Sequence, residues 1–106
     1  MNTLHIYAQT IWHDEAYVAG TRGALMAFRD AIDLAVSTDS DGFSEVESFA
    51  SDGEGYRTHV ILVTEDQADQ MSLPYTDEVA RDRKKDKVTP WALISLHLTL
   101  QSMKND

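Results

Sequence analysis

Apolar and polar residues alternate along residues 4–12, where Leu4, Ile6 and Ala8 interleave with His5, Tyr7 and Gln9, and a period of two assigns each set its own face of a strand. Ile11 and Trp12 extend the run, "HDE" at 13–15 turns the chain, and "AYVAG" returns it as a second strand ending at Gly20. The period then changes. Over 22–36, Leu25, Phe28, Ile32 and Ala35 or Val36 recur at helical spacing, Thr21 stands at the capping position, and Arg22, Arg29, Asp30 and Asp33 fall mainly off that stripe. Burying Leu25, Phe28 and Ile32 contributes about 1.5–3 kcal/mol each, so this helix is expected to lie on a sheet through them.

The small polar residues of "STDSDG", 37–42, predict a loop with a glycine suited to a left-handed turn. "FSEVESFA" and "YRTHVILV" then read as the two strands of a hairpin joined by "SDGEG", whose glycines suit positive φ. Val60 to Val63 is apolar on both faces and predicts a central strand covered from both sides. Phe43, Glu45, Glu47 and Phe49 share a half-wet face, as in an edge or interface strand. "TEDQADQM" predicts a short helix capped by Thr64, ended where Leu73-Pro74-Tyr75 disfavours helical geometry. A helix over 77–85 follows, with Thr76 as cap, Asp77 and Glu78 at its positive end and Arg83, Lys84 and Lys85 at its negative end. Thr89-Pro90 opens the last helix. Its body fits two periods, because Ile94, Leu96, Leu98 and Leu100 alternate while Leu93, Leu96, Leu100 and Met103 follow a helical stripe; helix is the reading taken. Together these elements predict a single α+β domain over 1–106: an antiparallel four-stranded sheet in the order β-β-α-β-β, one packing helix and two C-terminal helices.

A chain of 106 residues buries about two thirds of its unfolded surface on folding, enough for one core. It has no cysteine, which excludes disulfides, thiolate metal sites and cysteine nucleophiles. No apolar run reaches the roughly 18–20 residues that cross a bilayer, and "MNTLHIYAQT" lacks the pattern of a leader, so a cytoplasmic protein without a membrane partner is expected. Charge is uneven along the chain. The net value is -9, yet five of the nine basic residues fall between Arg81 and Lys87, and only Arg22, Arg29 and Arg57 are basic before residue 81. An acidic body repels phosphate backbones, which argues against nucleic acid as a partner and confines any small anion to places where arginines converge.

Motifs of catalysis and metal binding are thin. His13, Asp14 and Glu15 are ligand types, but neighbours in a strand point to opposite faces. "DSDGFSE", 39–45, has Asp39, Asp41 and Gly42 but lacks one carboxylate of a calcium loop, and its glutamate comes too soon. "GEGY", 53–56, joins strand to strand and so has no helix to open onto a phosphate. Ser44, Ser48 and Ser51 sit in no nucleophile elbow. These observations lead to the expectation of a non-enzymatic protein without cofactor or metal.

Aromatic rings beside arginines carry more. Tyr56-Arg57, Tyr75 followed by Arg81 and Arg83, and Trp91 combine flat faces for a base with guanidinium forks for phosphate. Tyr56, Arg57, Tyr75, Arg81, Arg83 and Trp91 are therefore the candidate ligand-binding residues. The competing structural reading has Tyr75 and Trp91 pinning C-terminal helices and Arg57 exposed beside Glu45 or Glu47.

With "IWHDEAYVAG", "FRDAID", "SDGEGY", "LPYTDE" and "PW", the chain resembles, over residues 4–94, a group of small α+β proteins of bacteria and their phages. The resemblance implies a binding protein of the anti-defence kind, oligomeric, that sequesters a nucleotide immune signal in pockets between subunits. It transfers no site residue. The expected function is thus a small homo-oligomeric binder of a nucleotide-like signalling ligand. One alternative is an acidic inhibitor or immunity protein docking on a basic partner through Asp39, Asp41, Glu45, Glu47, Asp52 and Glu54, read as two neighbouring loops and one strand. The other is a small metal- or carboxylate-dependent enzyme.

Overall fold

The first strand opens at Leu4. A computed structural model describes residues 1–9, 15–74 and 88–104, and the chain divides into two compact units, Met1–Leu62 and Val63–Asp106. In the first, β1 (Leu4–Tyr7) and β2 (Tyr17–Gly20) pair antiparallel, with Leu4 opposite Gly20 and Tyr7 opposite Tyr17. Alternation runs on in the sequence, but β1 ends at Tyr7 because β2 offers only four residues to pair with. Trp12, His13 and Asp14 lie outside the described residues.

α1 (Arg22–Val36) has the predicted limits, and the Thr21 hydroxyl accepts from the Ala24 amide at its start. β3 (Phe43–Phe49) and β4 (Gly55–Ile61) form the predicted hairpin, with Phe43 opposite Ile61 and Phe49 opposite Gly55. Gly42 and Gly53 have φ of 86° and 91°, so both turns use the left-handed conformation open to glycine.

Four strands do not make one four-stranded sheet. They form two separate two-stranded sheets, β1-β2 and β3-β4. A single parallel bridge, Thr3 to Phe49, and a bond from the Phe49 amide to the Asn2 carbonyl link them. The ladder stops there for a geometric reason: β3 ends at the point where β1 begins, and β1 runs on beside the 50–54 turn. Side chains fasten what the ladder does not. The Ser51 amide donates to His5 Nε2 at 3.0 Å, and the Tyr56 hydroxyl donates to the Leu4 carbonyl.

The expected central strand is also revised. Among the described residues β4 pairs only with β3, Val60 and Ile61 are half-buried, and Leu62 is exposed. Within the first unit one helix packs on one face of this ribbon.

α1 lies on the hairpin as expected, but through a different stripe. Ala24, Ala31 and Ala35 are buried, whereas Leu25 and Ile32 are 41% and 42% exposed. Alanines let the helix approach until the Ser44 hydroxyl donates to the Ala31 carbonyl at 2.5 Å, and larger side chains on that stripe would hold it off. The described core is accordingly thin, consisting of Leu4, the three alanines and Ser48.

In the second unit, α2 (Glu65–Asp69) starts in a capping box, with the Thr64 hydroxyl accepting from the Gln67 amide and the Gln67 side chain accepting from the Thr64 amide. A parallel bridge joins Met71 and Val88. α3 (Pro90–Lys104) settles the ambiguous C-terminal segment as helix, with proline at its first position. The helix predicted over 77–85 lies outside the described residues. No helix among the described residues is long and apolar enough to cross a membrane.

Candidate functional site

Successive residues of a strand face opposite ways, and this separates the first two candidates. Tyr56 turns toward β1, where its hydroxyl is committed to the Leu4 carbonyl. Arg57 turns to the open face of the hairpin, directly opposite Glu47, with Glu45 and His59 as the next pair. Trp91 belongs to the second unit, in the first turn of α3, and is 67% exposed. Tyr75, Arg81 and Arg83 lie outside the described residues. Within the first unit Tyr56 and Arg57 therefore face opposite ways and do not share a site. Arg57 occupies the exposed, acid-flanked position of its structural reading.

A different pair of arginines shares a surface. Arg22, Leu25, Met26 and Arg29 recur at i, i+3, i+4 and i+7 on α1, on the side opposite the buried alanines, and line a hollow of about 450 Å³. Leu25 and Met26 supply an apolar floor, both roughly two-fifths exposed. Arg29 is steadied by Asp30, whose Oδ1 accepts from Nε at 3.3 Å and from Nη2 at 3.1 Å. A guanidinium has five donors, so that contact leaves others for a ligand. The spacing was present in the sequence. A helix face read with Leu25 in the buried stripe makes Arg22 and Arg29 mere flanks of a core, and this hides the site.

A smaller hollow of about 240 Å³ is lined by Leu4, His5, Ile6, Tyr7, Ala50 and Tyr56. Its polar groups satisfy one another. The Ser51 amide donates to His5 Nε2, which fixes the neutral tautomer with the proton on Nδ1, and Nδ1 donates to the Tyr7 hydroxyl at 2.6 Å. Little hydrogen-bonding capacity is left for a guest.

The acidic residues form a line, not the compact patch expected of two neighbouring loops. Asp39 and Asp41 precede β3 while Asp52 and Glu54 follow it, so seven strand residues, about 20 Å, separate the two loops. The 37–42 loop closes on itself: Ser37 Oγ accepts from the Asp39 amide and Ser40 Oγ from the Gly42 amide, which differs from carbonyls and carboxylates turned onto a cation. Among the described residues no three His, Asp or Glu side chains are grouped to hold a metal.

Comparison of the chain with protein-family models, with curated proteins and with solved structures finds no match in any of the three.

Proposed function

We propose that the chain is a non-enzymatic binding protein that takes up a small nucleotide-like anion, with the hollow on α1 as its site. The observation that carries this reading is the pair Arg22 and Arg29 bracketing Leu25 and Met26 around about 450 Å³. Ligand hollows of this kind commonly measure about 300–1,000 Å³ and combine apolar lining with a few placed polar groups. Each guanidinium offers phosphate a two-pronged donor set, and the thioether and leucine present a polarisable floor to a base. The strongly acidic body makes such a place selective, since an anion is repelled wherever no arginine answers it. The resemblance to small phage and bacterial proteins supplies the setting, in which the protein acts as a sponge for a nucleotide signal.

Calorimetry and thermal unfolding with cyclic dinucleotides, ADP-ribose-type nucleotides and mononucleotides test the reading. A ligand at 100 times its Kd stabilises the native state by about 2.7 kcal/mol, which a melting curve resolves. Arg22→Ala and Arg29→Ala are expected to weaken that ligand at least tenfold, while Arg57→Ala leaves it unchanged. Ligand recovered after heat denaturation is expected to be chemically intact, as sequestration requires. A panel that shifts nothing, or a shift that survives loss of both arginines, overturns the assignment.

A further inference from the structure

The open face of the β3-β4 hairpin has an ordered distribution of charge. Its acids, Glu45 and Glu47, are both on β3, and its bases, His59 and Arg57, are both on β4, level with them in the register. All four are exposed, and the Glu45 Oε2 to His59 Nδ1 distance is 3.7 Å. Half-buried apolar side chains close both ends, Phe43 beside Ile61 at one and Phe49 at the other. α1 packs on the other face, through Ser44, and on the open face the charges pair across the two strands of the hairpin, Glu45 with His59 and Glu47 level with Arg57, as opposite charges on facing strands do.

We infer that this face docks on the same face of a second copy of the chain, about a twofold axis lying between the two hairpins and parallel to their strands. Such a rotation keeps each residue at its level along the strands and exchanges left for right. β3 of one protomer then lies over β4 of its partner. Glu47 of each copy meets Arg57 of the other and Glu45 meets His59, while Phe43 lies over Ile61. Two facing sheets stand about 10 Å apart, a gap that a glutamate and an arginine reaching toward each other can span. An isologous interface requires this kind of self-complementarity, in which residue i meets j and j meets i. A foreign basic partner would instead be opposed by Arg57 and His59 across half of the surface, and for that reason a second copy is the occupant proposed.

Seven residues of two strands make a face about 23 Å long and 10 Å wide, well under the roughly 800 Å² per partner of a stable complex. The dimer is thus a weak one that depends on its charge pairs, and it dissociates as salt rises. The inference does not rest on the α1 hollow or its ligand.

Sedimentation velocity on the full chain, over a concentration series at low and high salt, reads the association directly. Glu47→Arg and Arg57→Glu are each expected to be monomeric, because each places like charges across the axis twice. Mixed in equal amounts, they are expected to form a heterodimer, since both cross-axis pairs between positions 47 and 57 are then of opposite sign. A role confined to one chain does not produce that complementation. Asp33→Arg, which changes the net charge as Glu47→Arg does but lies on α1 and leaves the hairpin face intact, is expected to associate as the parent chain does. The variants sit at exposed positions, and circular dichroism confirms their folding. Monomeric behaviour of the parent chain at millimolar concentration, association unaffected by the single variants, or no association of the mixture overturns the inference.

Discussion

The Ser44 side chain donates its hydroxyl proton to the carbonyl of Ala31 at 2.5 Å, tying the start of β3 to the middle of α1. Such a contact is reached only where the helix presents small residues to the sheet. Ala31→Leu forces extra carbons into that seam, and a loss of about 1–3 kcal/mol is expected from overpacking. Ser44→Ala removes one hydrogen bond while the Ala31 carbonyl keeps its place in the helix, so about 0.5–1.5 kcal/mol is expected. Urea unfolding of both variants, with the larger loss at position 31, checks the order. The reverse order would mean that the bond, not the close approach, holds the helix down.

Glycines 20 and 53 differ in what they do. A Cβ at Gly20 would stand 2.8 Å from both the Thr3 carbonyl oxygen and Leu4 Cδ1, whereas a Cβ at Gly53 meets nothing within 4 Å and is opposed only by a φ of 91°. Gly53→Ala is expected to cost about 1–2 kcal/mol, the usual strain of a left-handed L-residue. Gly20→Ala displaces backbone and exceeds that cost. Thermal melts of the two variants, compared with the parent, rank them.

Among the described residues two hydroxyls, Ser48 Oγ and Thr58 Oγ1, are buried without a hydrogen-bond partner. An unsatisfied buried donor carries its full desolvation penalty, of about 1–3 kcal/mol. Ser48→Ala and the near-isosteric Thr58→Val are therefore expected to raise stability, each by up to about that amount. A calorimetric Tm unchanged or lowered in both variants contradicts the expectation.

Tyr17 donates its phenol proton to Glu15 Oε2, and this bond to a carboxylate, with a smaller contribution from desolvation, raises its pKa above the usual 10.0. The sign follows from the bond: ionising the phenol removes the donor and sets two negative charges side by side. The contact therefore favours the folded form below the ordinary phenol value and is lost as pH rises through the elevated one. Ultraviolet titration is expected to show the Tyr17 phenol ionising at a higher pH in the parent chain than in Glu15→Gln.

Local pattern disclosed each described element and its kind: the limits of α1 followed from Thr21 and the polar "STDSDG" loop, the hairpin from "SDGEG", and α2 from Thr64 and Gln67. It did not disclose which side of α1 is buried. Leucine and alanine stripes both repeat at helical spacing, and transfer energy alone favours leucine, but the sheet selected the smaller side chains that allow close approach. Nor could it show that the four strands split into two ribbons, which depends on where β3 stops relative to Leu4. Misplacing the helix face hid the α1 hollow, since Arg22 and Arg29 become a site only when Leu25 points outward. The place of Arg57 beside Glu47 is legible in the sequence as one of its two readings, because a hairpin with a five-residue turn fixes its own register.

The division into two ribbons joined at Thr3 and Phe49 also sets a sequence of events in time. Each ribbon pairs neighbouring stretches of chain and forms within about 1–10 μs, as short hairpins do. Docking the segment Asn2–Leu4 against the end of β3 must instead close a long loop that contains α1, and that search is the slow step. Weakening the Tyr56–Leu4 and Ser51–His5 fastenings should then retard refolding wherever they are already formed at the barrier, whereas shortcomings in the 50–54 turn show chiefly as faster opening of the β3-β4 ribbon.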